Sequence, residues 1–91
     1  LVMKIYKLKI KNRVQKELKK IPNKDGIRLA KAINKLRQEP RPRGCEKLTG
    51  GEREYRIRVG KYRILYEIQE AVLVIVVVRV AHRRKVYEAS G

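Results

Sequence analysis

Glu54-Tyr55-Arg56-Ile57-Arg58-Val59-Gly60-Lys61-Tyr62-Arg63-Ile64-Leu65-Tyr66-Glu67-Ile68-Gln69 is the stretch that decides the fold. Two runs rich in β-branched residues and tyrosine flank Gly60-Lys61, and such residues suit a pleated, half-buried surface. A two-residue connection with glycine first predicts a type II′ hairpin turn, with Gly60 at positive φ. Pairing steps outward from that turn, so Val59 faces Tyr62, Arg58 faces Arg63, Ile57 faces Ile64 and Arg56 faces Leu65. Side chains alternate between the faces of a strand, which puts Tyr55, Ile57, Tyr62, Ile64 and Tyr66 on one face and Arg56, Arg58 and Arg63 on the other. The apolar face belongs to the core. The basic face sets Arg58 directly against Arg63 with Arg56 beside them, a like-charge arrangement that costs from a few tenths to ~1 kcal/mol and brings folding nothing. A local conflict of that kind marks a candidate functional site. Guanidinium forks donate two parallel hydrogen bonds to phosphate oxygens, so the sharper reading is a phosphate-binding platform. A solvated basic face is the plainer one.

Outward from the hairpin, the other elements follow from periodicity. From Met3 to Ile10 apolar and basic residues alternate, with one break at Tyr6-Lys7, as in a strand. Asn12 can cap a helix that carries Val14, Leu18 and Ile21 on one face until Pro22 stops it. Asn23 or Asp25 opens a second helix, striped by Leu29, Ala30, Ile33 and Leu36 and closed before Pro40. Pro40 to Gly44 is a stiff, polar connection, and the segment around Leu48 is at most a short edge strand before the loop at Thr49-Gly50-Gly51. Val72 to Val80 is apolar on both faces, which suits a central strand. The order β-α-α-β-β-β predicts one α+β domain over residues 1–91: an N-terminal strand, a helical hairpin, then a three-stranded antiparallel segment, with the helices on one face of a four-stranded sheet.

Composition narrows the function. The 91 residues hold 25 Lys+Arg against 9 Asp+Glu and one histidine, a formal net charge of +16, while 43% are hydrophobic. That is enough apolar content for one core, and the excess of positive charge points to a polyanionic partner, nucleic acid or an acidic protein, rather than to a neutral small molecule. Cys45, the single cysteine, has no partner for an intramolecular disulfide, and one histidine gives no structural zinc site, so a reducing, cytoplasmic setting is expected. No apolar run approaches the ~20 residues of a membrane span. Lys4, Lys7, Lys9 and Lys11 interrupt the N-terminal apolar residues, unlike the layout of a signal peptide.

After the last strand comes Ala81-His82-Arg83-Arg84-Lys85-Val86-Tyr87. His82 adds a proton-transfer candidate and Tyr87 a ring on which a base can stack. Taken singly, His82 could merely order the exit of the chain and Tyr87 could cap the core.

Lys47-Leu48-Thr49-Gly50, the run from Tyr55 to Tyr66, and Val80 to Tyr87 together resemble the RelE-like toxins of the RelE/ParE superfamily, across nearly everything from Met3 to Tyr87. The resemblance implies a toxin of a type II toxin–antitoxin system, a ribosome-dependent endoribonuclease that cleaves mRNA in the decoding (A) site and inhibits translation. It implies that Arg56 and Arg58 fill the two basic positions of the hairpin's first strand, Arg63 the arginine of its second, Arg83 the arginine after the last strand, and Tyr87 the C-terminal tyrosine. The expected reaction is metal-independent and uses no cofactor: a ribose 2′-hydroxyl attacks the adjacent phosphorus in line and a 5′-oxygen departs. The best-known members carry lysines at the two hairpin positions, one proposed as the general base, whereas an arginine rarely gives up its proton. The base is thereby left open, with His82 as a reserve proton carrier. Expected partners are a cognate RelB-like antitoxin, in a hetero-oligomeric complex, together with the ribosome and mRNA; no membrane is implied. ParE-like members share the fold but bind and inhibit DNA gyrase without cutting RNA. The full arginine set and the His-Arg-x-x-x-Tyr ending favour the ribonuclease, and a basic RNA-binding module without scission is the third reading.

Overall fold

Chain order is β1 (Lys7–Ile10), α1 (Asn12–Lys19), α2 (Asn23–Lys35), β2 (Glu46–Lys47), β3 (Glu54–Val59), β4 (Tyr62–Gln69), a 3₁₀ turn (Glu70–Val72) and β5 (Val74–His82). The structure, a computed structural model, describes residues 4–51 and 53–82. The strands form one sheet in the order β1-β5-β4-β3-β2. β1 runs parallel to β5 and every other neighbour pair is antiparallel. The sheet therefore has five strands where the sequence predicts four. The added strand is the segment before Leu48: Glu46 pairs with Arg56, Lys47 with Tyr55, and the Leu48 N–H donates to the Glu54 carbonyl at 2.8 Å. Its two residues are the kind of short edge that resists pairing with other chains.

The hairpin has the register that its turn dictates. Val59 pairs with Tyr62, Arg58 with Arg63, Ile57 with Ile64 and Arg56 with Leu65. Gly60 has φ 59° and Lys61 has no positive φ, the pattern of a II′ rather than a I′ turn. On the face that carries Tyr55, Ile57, Ile64 and Tyr66, the sheet meets Val14 of α1 and Leu29, Ile33 and Leu36 of α2 and its end. Both helices thus cover one face, as predicted.

Element boundaries differ from the sequence reading where neighbours claim backbone groups. The Lys11 N–H still bonds to the Val77 carbonyl of β5, and the Lys11 carbonyl already accepts from Val14 and Gln15. Lys11 is therefore the cap and Asn12 the first helical residue, with no side-chain capping bond. Proline at the boundary does the same before α2, where Pro22 is the cap and Asn23 opens the helix. Before β1, the Tyr6 N–H donates to the Arg37 carbonyl at 2.8 Å and the Tyr6 carbonyl accepts from Arg37 Nε at 3.2 Å, with Tyr6 in the core and Ile5 outside. That exchange explains the break in alternation at Tyr6-Lys7. Val72 belongs to the 3₁₀ turn, Leu73 at φ 54° redirects the chain, and β5 runs on to His82 rather than stopping at Val80.

Two side-chain devices hold the sheet's ends. Past Val77, β5 has no β1 residue beside it, and α1 supplies the missing acceptor: Glu17 Oε1 takes the Val80 N–H at 2.9 Å while its Oε2 lies 3.5 Å from Arg79 Nε. At the opposite end, the connection after α2 is buckled to the sheet. The Tyr66 hydroxyl donates to the Pro40 carbonyl at 2.6 Å, Arg41 Nε donates to the Tyr55 hydroxyl at 3.1 Å, and the Arg41 guanidinium lies over the Tyr55 ring. Glu70 closes the buckle, accepting from the Tyr6 hydroxyl at 2.7 Å and pairing with Arg41 at 2.5 Å. Burial pushes the Tyr66 phenol well up, so it remains a donor at any working pH.

Replacing Glu17 with alanine removes the acceptor of a part-buried N–H, and a loss of ~1–3 kcal/mol is expected in urea unfolding. The Tyr6 and Arg41 hydrogen bonds hold the Glu70 carboxyl below the usual carboxylate range. A folded-state value below the unfolded one gives stability that is complete above the unfolded value, ~4.3, and is lost as pH falls through the folded value. The urea midpoint of Glu70→Gln is therefore expected to fall less on acidification than that of wild type. Parallel pH profiles would contradict the buckle.

Candidate nucleic-acid interface

The β3–β4 register that fills the core also turns Arg56, Arg58 and Arg63 onto the sheet face opposite the helices. They are graded in depth. Arg63 is only 6% exposed, the Arg56 side chain 21%, and Arg58 lies open to solvent. Arg63 is held down because its β5 neighbour is the small Ala81, directly opposite, while Arg58 flanks it on β3. A guanidinium at such depth is a fixed, weakly solvated charge, and a phosphate oxygen reaching it interacts at a lower effective dielectric than at an open surface.

β2 begins only at Glu46, opposite Arg56, so among the described residues the stretch of β3 from Ile57 to Val59 has no strand on its outer side. α2 and the connection after it line the space instead, making a groove of about 540 Å³ whose polar side chains are Lys35, Glu39, Arg43, Glu46, Arg56, Arg58 and Arg63. Five of these are cations, which concentrates the chain's positive charge where a polyanion backbone could lie. Glu46 stands directly across from Arg56, whose Nη2 donates to Glu46 Oε2. The bond from Arg56 and, more weakly, the charges of Arg63 and Arg58 hold the Glu46 carboxyl below its ordinary range. The groove therefore contains five cations suited to phosphate and two carboxylates, Glu39 and Glu46.

Of the six residues singled out from the sequence, the structure brings Arg56, Arg58 and Arg63 together. His82 is separated from them. It pairs with Tyr62, so it lies on the helix-side face, where the two rings meet edge-on at 6.0 Å and the Tyr62 hydroxyl donates to Asp25 at 3.2 Å. Its neighbour Ala81, not His82, is on the arginine face, because β5 continues through both. Arg83 and Tyr87 lie outside the described residues. Arg43 and Glu46 were not visible as site residues in the sequence. The signal for Glu46 was available: once a strand precedes Leu48, an acid falls opposite Arg56, and opposite charges across a ladder are a favoured pair.

Comparison with known proteins agrees with this fold. The family model for the ParE toxin of the parDE type II toxin–antitoxin system matches residues 8–87. The chain is similar to the toxin in the archaeal RelE–RelB complex of Pyrococcus horikoshii, at 31% identity over 87% of this chain and 96% of that one, with a TM-score of 0.79. The isolated RelE toxin of E. coli superimposes with a TM-score of 0.75 at 27% identity, covering 93% of this chain and 94% of that one. A Methanocaldococcus jannaschii protein that carries the name toxin RelE1 is 27% identical over 86 residues, 91% of this chain and 96% of its own length.

A binding face that is a folding conflict has a distinct mutational signature. Arg58→Ala removes the charge opposite Arg63, so the unfolding free energy in urea is expected to hold or to rise by a few tenths of a kcal/mol. The same variant is expected to bind RNA more weakly, with a shallower dependence of log K on log salt by about 0.7 for one lost phosphate contact. A clear loss of stability with unchanged RNA affinity would make Arg58 a structural residue.

Proposed function

The chain belongs to the ParE toxin family of type II toxin–antitoxin systems, within the RelE/ParE superfamily, and on that premise we propose that it is a ribosome-dependent endoribonuclease that cleaves mRNA in the decoding site. The observation that carries this reading is the convergence of Arg56, Arg58 and Arg63 on one face of the β3–β4 hairpin, at the mouth of a cationic groove. In such a site the scissile phosphate lies over the three guanidiniums. Attack by the 2′-hydroxyl spreads negative charge over the equatorial phosphoryl oxygens, and donors already fixed in place stabilise that charge without reorganising. Arg63, the most buried of the three, sets the position of the phosphorus. By the family resemblance Arg83 neutralises the departing 5′-oxygen and Tyr87 stacks on or orients the nucleotide. His82, against Tyr62 on the far face, has no step in this reading.

A net charge of +16 needs a mask when the toxin is idle. The similar structures from P. horikoshii and from E. coli include RelE–RelB complexes, which supports a RelB-like antitoxin for this chain, with an acidic or amphipathic segment laid over its cationic surface. Action on ribosomes places the protein in the cytoplasm. The match to the ParE family supports one alternative, inhibition of DNA gyrase without RNA cleavage.

Translation of a defined messenger in a purified system, with 5′ ends mapped by primer extension, tests the proposal. New ends inside codons are expected only when ribosomes are present, and Arg63→Ala is expected to lower their yield by ~10²-fold or more. No new ends at saturating protein, together with loss of gyrase supercoiling activity, would replace the ribonuclease with the gyrase reading.

A further inference from the structure

The register of β5 against β4 is broken once. Tyr66 pairs with Val77 and Leu65 with Arg79, so Val78 is passed over in the ladder. In an unbroken ladder Arg79 would oppose Ile64 and point into the core. The extra residue turns it to the other face, opposite Leu65. Directly opposite residues share a face, and Leu65 in turn lies opposite Arg56. Arg56, Leu65 and Arg79 therefore form one row across the sheet, beside the row of Arg58, Arg63 and Ala81. One strand spacing across and two residues along put Arg79 about 8 Å from Arg63, a separation that two arginine side chains can match to successive phosphates.

Folding gains little from that placement. The Arg79 side chain is only 15% exposed, and its Nε is buried without a hydrogen bond. Among the described residues its one partner is Glu17, 3.5 Å from Nε. That carboxylate already takes the Val80 N–H at 2.9 Å and stands 3.5 Å from Arg13 Nε. A guanidinium turned out of regular pairing, largely buried and loosely held costs stability rather than adding to it. The same argument that marks the Arg58–Arg63 pair as functional thus applies to Arg79, through a bulge instead of a like-charge pair.

We propose that Arg79 is also a substrate-binding residue, which holds the phosphate next to the scissile one. This inference rests on the ribonuclease reading. With the scissile phosphate on Arg56, Arg58 and Arg63, the RNA backbone crosses β4 and leaves over β5, where the neighbouring phosphate meets the Arg79 Nη donors. Without RNA, the charge of Glu17 steadies the guanidinium, and the phosphate competes with that carboxylate when it arrives. One phosphate contact fixes a point of the chain, and a second fixes its direction. Direction is what in-line attack needs, because the 2′-hydroxyl must approach the phosphorus from the side opposite the departing 5′-oxygen.

Binding to purified ribosomes tests this, with a messenger whose decoding-site codon is made uncleavable by 2′-O-methyl groups and carries one neutral methylphosphonate linkage, moved stepwise along it. Wild type is expected to lose ~10-fold or more in affinity at two adjacent linkages. Arg58→Ala is expected to abolish the penalty at one of them and Arg79→Ala at the other. Glu17→Gln keeps an acceptor for the Val80 N–H and removes the charge that competes for Arg79, so binding is expected to tighten a few fold, except where the Arg79 linkage is neutral. Penalties unchanged in Arg79→Ala would overturn the proposal and make Arg79 a partner of Glu17 alone. So would loss of the penalty at the same linkage in Arg79→Ala and Arg58→Ala. Where Arg79→Ala fails to fold, Glu17→Gln decides, since affinity no tighter than wild type would overturn the proposal. No penalty at any linkage in wild type would overturn the RNA-binding face as a whole, whereas cleavage is decided separately by primer extension.

Discussion

The pairing of β3 with β4 is the constraint on which everything else rests. It sets Ile57 against Ile64 and Tyr55 against Tyr66 beneath the helices, and by the same alternation sets Arg58 against Arg63 on the far side. A slip of β3 by one residue would turn Tyr55 and Ile57 out of the core and bury Arg56 and Arg58 in their place. The turn forbids that slip, because Gly60 supplies the positive φ that joins the strands in this register alone. Core and site are thus two readings of one ladder, and neither can be moved without the other.

Around that ladder the rest of the fold serves to keep the arginine face open and its surroundings charged. Among the described residues, both helices pack on the face opposite the arginines. β2 is long enough to bring Glu46 against Arg56 and too short to cover β3 beyond it. The connection that carries Arg43 over the groove is fixed by tyrosine hydroxyls and by the Arg41–Glu70 pair rather than by regular structure. Glu46 then offsets part of the like-charge cost that the three arginines impose in the absence of substrate. A site that folds at a small electrostatic penalty, relieved by one tethered carboxylate, is ready to exchange that carboxylate's company for a phosphate.

Most of the architecture was legible in the residues. The hairpin register, the helical pair and the central apolar strand follow from alternation, from the 3.6-residue stripe and from Gly60, all local signals. What escaped depended on partners distant in sequence. The sequence pattern ends the last strand at Val80, yet pairing with Arg63 and Tyr62 continues through Ala81 and His82. That extension moved His82 to the opposite face from the arginines. Asn12 looked like a cap, but Lys11 was already committed by its bond to Val77. β2 is too short to show any periodicity, and without it the opposition of Glu46 to Arg56 could not be seen. The three hairpin arginines were found for the opposite reason: their conflict is written within a single run of sequence.

The central claim is that this arginine face, and not the His82 face, receives the RNA backbone. Its most direct test is NMR of the arginine side-chain Nε–H groups during titration with a short RNA made uncleavable by 2′-O-methyl groups. The account predicts that the Arg56, Arg58 and Arg63 signals shift together, and revert as salt is raised, while the Tyr62 and His82 ring signals stay in place. Shifts at Tyr62 and His82 with the three arginines unmoved would contradict it.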